Sequence, residues 1–192
     1  ALEVEEACQV LRGEGPEDLR ALSVELAAWM AWMAGKAPSL EEARALAEEK
    51  LRDGSALERF CRMVQAQGGD PSVAEHPERL PKAAVSLAVL APKDGWLCRV
   101  DTREAGRASV VLGAGRETRE SPLDYGAGIR FAKVLGDPVR QGEPLGWVYA
   151  STEGRAQEGA RLLAGALEIG ERPPEKRPLF YAAITEKGAQ RL

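Results

Sequence analysis

At residues 70–81 apolar periodicity stops and three prolines, Pro71, Pro77 and Pro81, punctuate the chain. The two sides of this break obey different rules. Before it, apolar side chains recur at helical spacing; after it, short apolar or β-branched runs alternate with clusters of Gly, Pro and Asp. A pattern of helical period does not settle as a strand, nor the reverse, so no uniform architecture fits both halves. The expectation is a helical segment over 1–69, a linker over 70–81, and a β-rich module with one helix over 82–192. With 192 residues, 44% of them hydrophobic, the chain can bury one substantial core or two small ones.

On the helical side, Leu2, Glu6, Val10 and Leu11 follow one another at helical spacing, and Gly13-Glu14-Gly15-Pro16 stops that helix and puts a proline at the start of the next. Between Pro16 and Ala34, residues Leu19, Leu22, Leu26, Trp29, Met30 and Met33 form one broad stripe, closed by Gly35. A helix needs such a stripe merely to dock, so core packing is expected rather than a cofactor box. Ser39-Leu40-Glu41-Glu42 has the form of a capping box and opens a third helix that ends near Asp53-Gly54. Ser55 can cap a fourth, which Gly68-Gly69 terminates.

Beyond the break, strands are expected at Val85–Leu90, Gly95–Val100, Ala108–Leu112, Ile129–Leu135 and Leu145–Tyr149. One helix, roughly Glu153 to Glu168 with Ser151 or Thr152 as cap, places Ala156, Ala160, Leu163 and Leu167 on one face before Arg172-Pro173-Pro174 ends it. A last strand is expected within Leu179–Ile184.

Composition excludes several classes. The formal charge of -4, from 30 acidic against 26 basic side chains, is mixed along the chain and leaves no electrostatic footprint for a nucleic-acid polymer. Runs such as Val85–Ala91 are too short to span a bilayer, and no charged-then-apolar leader with a small-residue cleavage site is visible, so a soluble cytoplasmic protein without membrane partners is expected. Cys8, Cys61 and Cys98 are odd in number and widely spaced, which points to buried free thiols rather than a disulfide framework or a metal knuckle. Ala, Arg, Glu, Leu and Pro are abundant and Asn is absent, a bias that fits either heat resistance or a biased genome. The start, Ala1-Leu2-Glu3-Val4, runs into a helical pattern without cap, signal or Met, so the natural chain is expected to begin upstream.

The β-rich half carries two informative patterns. Ala91-Pro92-Lys93-Asp94-Gly95-Trp96 is followed by Gly136-Asp137-Pro138-Val139-Arg140-Gln141-Gly142-Glu143-Pro144-Leu145, a pair of tight turns with Val139 and Leu145 filling a small sandwich. Similar pairs occur in biotinyl and lipoyl carrier domains, where an exposed lysine receives the cofactor. Here Gly146-Trp147-Val148-Tyr149-Ala150-Ser151-Thr152 offers no lysine. The second pattern, Leu112-Gly113-Ala114-Gly115-Arg116, could wrap an anion, but it lacks dinucleotide spacing and a polar, proline-containing stretch follows. A structural turn, with Arg116 bridging to a neighbouring domain, is the expected role. The single histidine, His76, stands in the linker with no Cys or Ser partner nearby, and acidic runs such as Glu48-Glu49 read as solvated helix faces. No catalytic constellation is visible in the residues themselves.

Several phrases together carry a resemblance: Ala1-Leu2-Glu3-Val4-Glu5-Glu6-Ala7, Leu11-Arg12-Gly13-Glu14-Gly15-Pro16-Glu17-Asp18-Leu19, Gly54-Ser55-Ala56-Leu57-Glu58-Arg59-Phe60, Ala66-Gln67-Gly68-Gly69-Asp70-Pro71, the Gly113–Arg116 turn and the paired turns at Gly95 and Gly136. In this order they resemble the C-terminal part of the pyrimidine-nucleoside and thymidine phosphorylase family, covering somewhat less than half of a usual member. The resemblance implies an α+β fold in which residues 1–69 are the helical part of a central α/β domain and residues from 82 an α/β-hammerhead, barrel-sandwich-like module. It implies a pentosyltransferase of nucleoside salvage: pyrimidine nucleoside and inorganic phosphate give free base and pentose 1-phosphate. Members are homodimers that close a cleft around phosphate and sugar.

In the family, phosphate is held by a Gly-rich loop containing Lys and Ser, and the base by an Arg, a Ser and a Lys on a helical domain. None of these motifs is present here; the resemblance places them N-terminal to Ala1, so no catalytic, substrate-binding or organic-cofactor residue is assigned and the chain alone is expected to be inactive. One metal-site candidate is carried over. Some bacterial relatives hold a monovalent cation such as potassium with backbone carbonyls and the acidic residue corresponding to Glu6, whose hard oxygen suits such an ion; the alternative is a solvated helical glutamate. An accessory domain of the biotinyl or lipoyl type and a phosphoribosyltransferase of related architecture remain as other readings.

Overall fold

The structure, a computed structural model, describes every residue except 117, 187 and 192. In chain order its elements are helices α1 (Leu2–Leu11), α2 (Glu17–Met33), α3 (Leu40–Arg52) and α4 (Ser55–Ala66), two 3₁₀ turns at Pro71–Ala74 and Pro77–Arg79, then β1 (Val85–Leu90), β2 (Gly95–Val100), α5 (Thr102–Leu112), β3 (Gly128–Phe131), β4 (Pro138–Val139), β5 (Pro144–Ala150), α6 (Glu153–Ala166), β6 (Leu167–Gly170), β7 (Ala182–Thr185) and β8 (Gly188–Arg191). The class is α+β with small antiparallel sheets. The chain falls into two compact units: Glu3–Arg79 with Arg177–Leu192, and Leu80–Lys176 with Ala1–Leu2. Residues 177–192, expected within the β-rich module, thus group with the helices, and the expected linker, 70–81, belongs to the helical unit as far as Arg79, with Leu80 and Pro81 in the β-rich unit.

In the helical unit, local chemistry sets the ends of the elements. Gly13, at φ 81°, lets the backbone donors of residues 13 and 14 turn back onto the carbonyls of Val10 and Gln9. Ser39 caps α3, its Oγ accepting the Glu42 N–H at 3.1 Å while Glu42 Oε1 accepts the Ser39 hydroxyl; such a cap is worth about 1 kcal/mol. Ser55 does not cap α4. It is the first helical residue, and the Asp53 carboxylate accepts both its N–H, at 2.9 Å, and its hydroxyl. Lys50 and Ser55 hold Asp53 well below the usual carboxylate range. After α4, Gly69 N–H reaches the Val64 carbonyl at 2.9 Å. The 3₁₀ turn at Pro71–Ala74 packs on α4, and the Ala74 carbonyl accepts the Arg12 guanidinium.

The β-rich unit has two three-stranded sheets, ordered β1-β5-β3 and β4-β2-β6. Between α5, α6 and the first sheet, a core forms from Val89, Ala108, Leu112, Ala127, Val148, Ala150, Ala156 and Leu163. A smaller one, Ala91, Leu97, Val139, Leu145 and Ile169, fills the space at the second sheet. The paired turns do meet: Asp94 Oδ1 accepts the Gln141 N–H at 2.7 Å, Gly142 N–H donates to Ala91 O at 2.9 Å, and Leu97 N–H to Asp137 O at 3.0 Å. Val139 and Leu145 fill that space, as the spacing suggests.

Two expectations fail here. Ala108–Leu112 is not a strand but the last turns of α5. Asp101 accepts the N–H groups of Arg103 and Glu104, and Gly113, at φ 107°, closes the helix. The cap outweighs the β propensity of Ser109-Val110-Val111, because α5 can then bury Ala108 and Leu112. Helix α6, capped by Thr152, ends at Ala166 rather than near Glu168; Leu167 turns extended and opens β6, which pairs Leu97 with Ile169 and Val100 with Leu167. That strand escapes a sequence reading because Leu167 also continues the helical stripe. Shorter revisions follow the same logic: β3 stops at Phe131, and the last strand is the hairpin β7–β8.

Leu112 is fully buried, and a Cβ on Gly159 of α6 would lie 2.4 Å from its Cδ2. Replacing Leu112 by Ala opens a cavity at the α5–α6 contact and is expected to cost about 2–5 kcal/mol in denaturant unfolding of the β-rich unit.

Candidate functional site

Glu6 is exposed on α1. His76 is exposed, with Nδ1 3.1 Å from Glu78 Oε1, an ion-pair partner two residues away rather than a nucleophile or metal ligand. Cys8 is buried, and burial pushes its thiol above the ordinary range, opposed by Arg12, so it is a poor nucleophile. Cys61 and Cys98 are only half-buried, contrary to the expectation for all three; Cys98 Sγ contacts the Arg172 carbonyl oxygen at 3.1 Å. Among the described residues no group of three His, Cys, Asp or Glu could hold a metal ion. Glu6 supplies one hard oxygen, so these residues by themselves do not make a cation site.

The glycine turn after α5 serves the backbone. Two of its N–H groups close the helix instead: Gly113 donates to Val110 O and Ala114 to Ser109 O, both at 3.0 Å. A Cβ on Gly115 would lie 2.6 Å from Val110 Cγ2, so glycine is needed there for close backbone return. Nor does β5 resemble the exposed tip of a carrier hairpin. It is the central strand of its sheet, with Val148 fully buried.

Sequence reasoning passes over one polar cluster. Glu25 on α2 is 9% exposed. Arg44 on α3 approaches it with both Nε and Nη2, the latter donating to Oε1 at 2.8 Å, and the Trp29 indole N–H donates to the same oxygen at 2.9 Å. The Arg44 hydrogen bond, opposed by desolvation and aided by Trp29, holds the Glu25 carboxyl below its ordinary range. An ionised carboxylate with saturated oxygens has no proton to exchange near neutrality, so this is a structural clamp rather than a general acid or base. The sequence shows only the four-residue spacing of Glu25 and Trp29; Arg44 lies on another helix, so the cluster has no motif.

Among the described residues, each unit carries an open groove. One of about 360 Å³ is lined by Lys133, Pro138, Val139, Arg140 and Glu143. Its Lys133 Nζ is held by Glu143 Oε1 at 2.6 Å, so that cation is already neutralised. The other, of about 230 Å³, is lined by Glu25, Leu26, Trp29, Phe180 and Ala182–Ile184. Neither gathers a nucleophile, a base and an oxyanion donor.

The clamp has a pH signature. A carboxyl depressed in the folded state stabilises fully above its unfolded value of about 4.3, and that contribution is lost as pH falls through the folded value. Arg44 is partly solvated, so Glu25→Gln is expected to cost about 1–2 kcal/mol at neutral pH. The gap from the parent should narrow below about pH 4, measured by denaturant unfolding at a series of pH values.

Residues 96–170 match the family model of the pyrimidine nucleoside phosphorylase C-terminal domain. The chain is 40% identical over 185 residues to the pyrimidine-nucleoside phosphorylase of Geobacillus stearothermophilus, covering 96% of this chain and 42% of that protein. It is 45% identical over 186 residues to the pyrimidine-nucleoside phosphorylase of Bacillus subtilis (strain 168), 97% of this chain and 42% of that one. The Staphylococcus aureus (strain N315) protein of the same name matches at 42% over 153 residues, 80% and 35% of the two chains. The chain therefore spans less than half the length of these relatives. Its α+β fold, its helix-then-sheet order and this collinear identity agree: the chain belongs to the pyrimidine-nucleoside phosphorylase family, matching the C-terminal part of its members.

Proposed function

We propose that these residues serve as scaffold in a pyrimidine-nucleoside phosphorylase. The reaction is reversible phosphorolysis, in which phosphate attacks the anomeric carbon and the base leaves as an anion, giving pentose 1-phosphate. What carries the reading is collinear identity of 40–45% to proteins of that name along 96–97% of the chain. Such chemistry needs cationic and hydroxyl donors around phosphate and donors to the departing base. In this reading those donors belong to the part of the relatives that the chain does not match.

The same reading extends to a homodimeric cytoplasmic enzyme without organic cofactor and to an α/β-hammerhead arrangement of the β-rich unit; the clasped turns at Asp94 and Gly142 are consistent with the latter. No helix among the described residues is long and apolar enough to cross a membrane. Glu6 is proposed as one ligand of a monovalent cation in the complete enzyme, the other oxygens coming from elsewhere. Its exposure on α1 leaves the carboxylate open to such a partner.

The chain alone, mixed with thymidine and phosphate, is expected to release no thymine; release would overturn the assignment of the catalytic groups to the unmatched part. Joined to the unmatched N-terminal portion of the Bacillus subtilis relative, it is expected to release thymine in a phosphate-dependent way. Dependence on phosphoribosyl pyrophosphate instead would point to the transferase alternative. For Glu6, potassium chloride is expected to raise the Tm of that joined protein more than sodium chloride does, and Glu6→Gln to remove the difference; an unchanged difference rejects the ligand role.

A further inference from the structure

Two thiols of the helical unit, on its first and fourth helices, come to the same short turn. Cys61, on α4, points its Sγ at the Pro71 carbonyl oxygen, 3.8 Å away. On α1, Arg12 closes the last turn by donating its N–H to the Cys8 carbonyl at 3.1 Å, so the two side chains share a face. The Arg12 guanidinium in turn donates to the Ala74 carbonyl. Pro71 and Ala74 are the ends of one 3₁₀ turn, whose rise of about 2 Å per residue sets them about 6 Å apart. That turn is firmly placed: Asp70 Oδ1 accepts the Ser72 N–H at 2.9 Å, Arg79 donates to Ser72 Oγ at 2.6 Å, and Ala74 is fully buried.

The sulfurs also sense each other. Burial raises the Cys8 thiol first of all; the Arg12 cation opposes this, and a negative charge on Cys61 adds to the rise. Charges influence one another in this way only when they are near and shielded from solvent. Accessibility separates the two thiols. Cys61 is half-buried, so an oxidant reaches it first, whereas Cys8 is closed to water and can meet only a sulfur already beside it. A buried cysteine without a neighbour is a small apolar filler. One that shares a turn with a second thiol has redox chemistry open to it. The spacing of the two in sequence hides this, because α2 and α3 lie between them.

We propose that Cys8 and Cys61 are a redox pair: a low-molecular-weight disulfide such as oxidised glutathione converts them into a cross-link that ties α1 to α4 beside the Pro71–Ala74 turn and stabilises the helical unit. Both thiols are free in the structure. The Cys61 thiol gives up its proton, and its sulfur attacks one sulfur of the oxidant; that S–S bond breaks and one glutathione thiolate leaves. Cys8 then loses its proton and attacks the Cys61 sulfur of the mixed disulfide, and the second glutathione leaves as thiolate. Two protein thiols are oxidised by one electron each, one glutathione disulfide is reduced to two thiols, and the two protons pass to the leaving groups. The link encloses α2 and α3 in one long loop, and restricting such a loop in the unfolded chain favours the folded one. The tie is independent of the function proposed above.

The test uses the 192-residue chain carrying Cys98→Ser, which leaves only the pair. Incubated without denaturant in excess oxidised glutathione, it is expected to lose both free thiols and about 2 Da of intact mass, with no glutathione retained, and peptide mapping is expected to join Cys8 to Cys61. Its Tm is expected to rise by about 5 °C or more, and dithiothreitol to restore the thiols and the original Tm. Two thiols left free, a mixed disulfide that goes no further, or a disulfide-linked dimer each overturn the proposal. A link without a rise in Tm also overturns it, since it then closes at the expense of native packing. So does a link that forms as readily in guanidinium chloride, where the fold brings nothing together. Adding Cys61→Ser is expected to leave Cys8 unreacted; prompt glutathione addition to Cys8 overturns the assignment of Cys61 as the sulfur attacked first. If circular dichroism shows the chain alone unfolded, the mapping is repeated on its fusion to the N-terminal portion of the Bacillus subtilis relative, where presence of the Cys8–Cys61 link supports the pair and absence rejects it.

Discussion

Leu112 against Gly159 is the contact on which the β-rich unit turns. Helix α6 has no side chain where the Leu112 methyls sit, and a Cβ there would come within 2.4 Å of them. This allows α5 and α6 to approach closely and to cover β1 and β5 together. Burying a leucine fully is worth roughly 1.5–3 kcal/mol, and Leu112 and Leu163 both do so at this contact. Once α6 lies there, its exit at Ala166 is fixed, and Leu167–Gly170 is delivered to the free side of β2. The strand order β4-β2-β6 is thus downstream of a helix–helix contact.

The helical unit is organised by the opposite kind of interaction. Its short buried side chains give a thin core, and α2 is tied to α3 by a charge pair, Glu25 with Arg44, supported by the Trp29 indole. A pair of this sort fixes register and orientation more than it adds stability, because desolvation of the carboxylate offsets much of the attraction. Trp29 in turn meets Trp32 edge-on, ring centroids 5.5 Å apart, which sets the direction of the aromatic face of α2. The clamp and the exposed stripe are two aspects of one arrangement. With Glu25 held by Arg44 of α3, Leu26, Met30 and Met33 stay exposed.

Much of the local structure was legible from side-chain chemistry. The capping box at Ser39, the stops at Gly13 and Gly68-Gly69, the strands Val85–Leu90 and Gly95–Val100, and the meeting of the paired turns needed only capping, turn and alternation rules. The signals for α5 were also present, since Asp101 precedes Glu104 by three residues and Gly113 follows the helix. They lost to the β-branched Val110-Val111, a reminder that propensity is a weak prior beside a cap and a burial face. The family could be read from ordered phrases along the chain, whereas a candidate site could not: among the described residues no group of three His, Cys, Asp or Glu could hold a metal ion, and the clamp of Glu25 with Arg44 joins residues on different helices.

The sequence by itself determined the ends of α1 and α3 and the tight turns at Gly95 and Gly136, because those choices depend on side chains within a few positions of each other. It determined the family too, through the order of its motifs. Only the tertiary structure decided which face of α2 is buried, that Leu167 leaves a helix for a strand, and that residues 177–192 join the helical unit. Those outcomes depend on which surfaces are available to cover an apolar stripe or an open strand edge, and no local pattern records what lies opposite it.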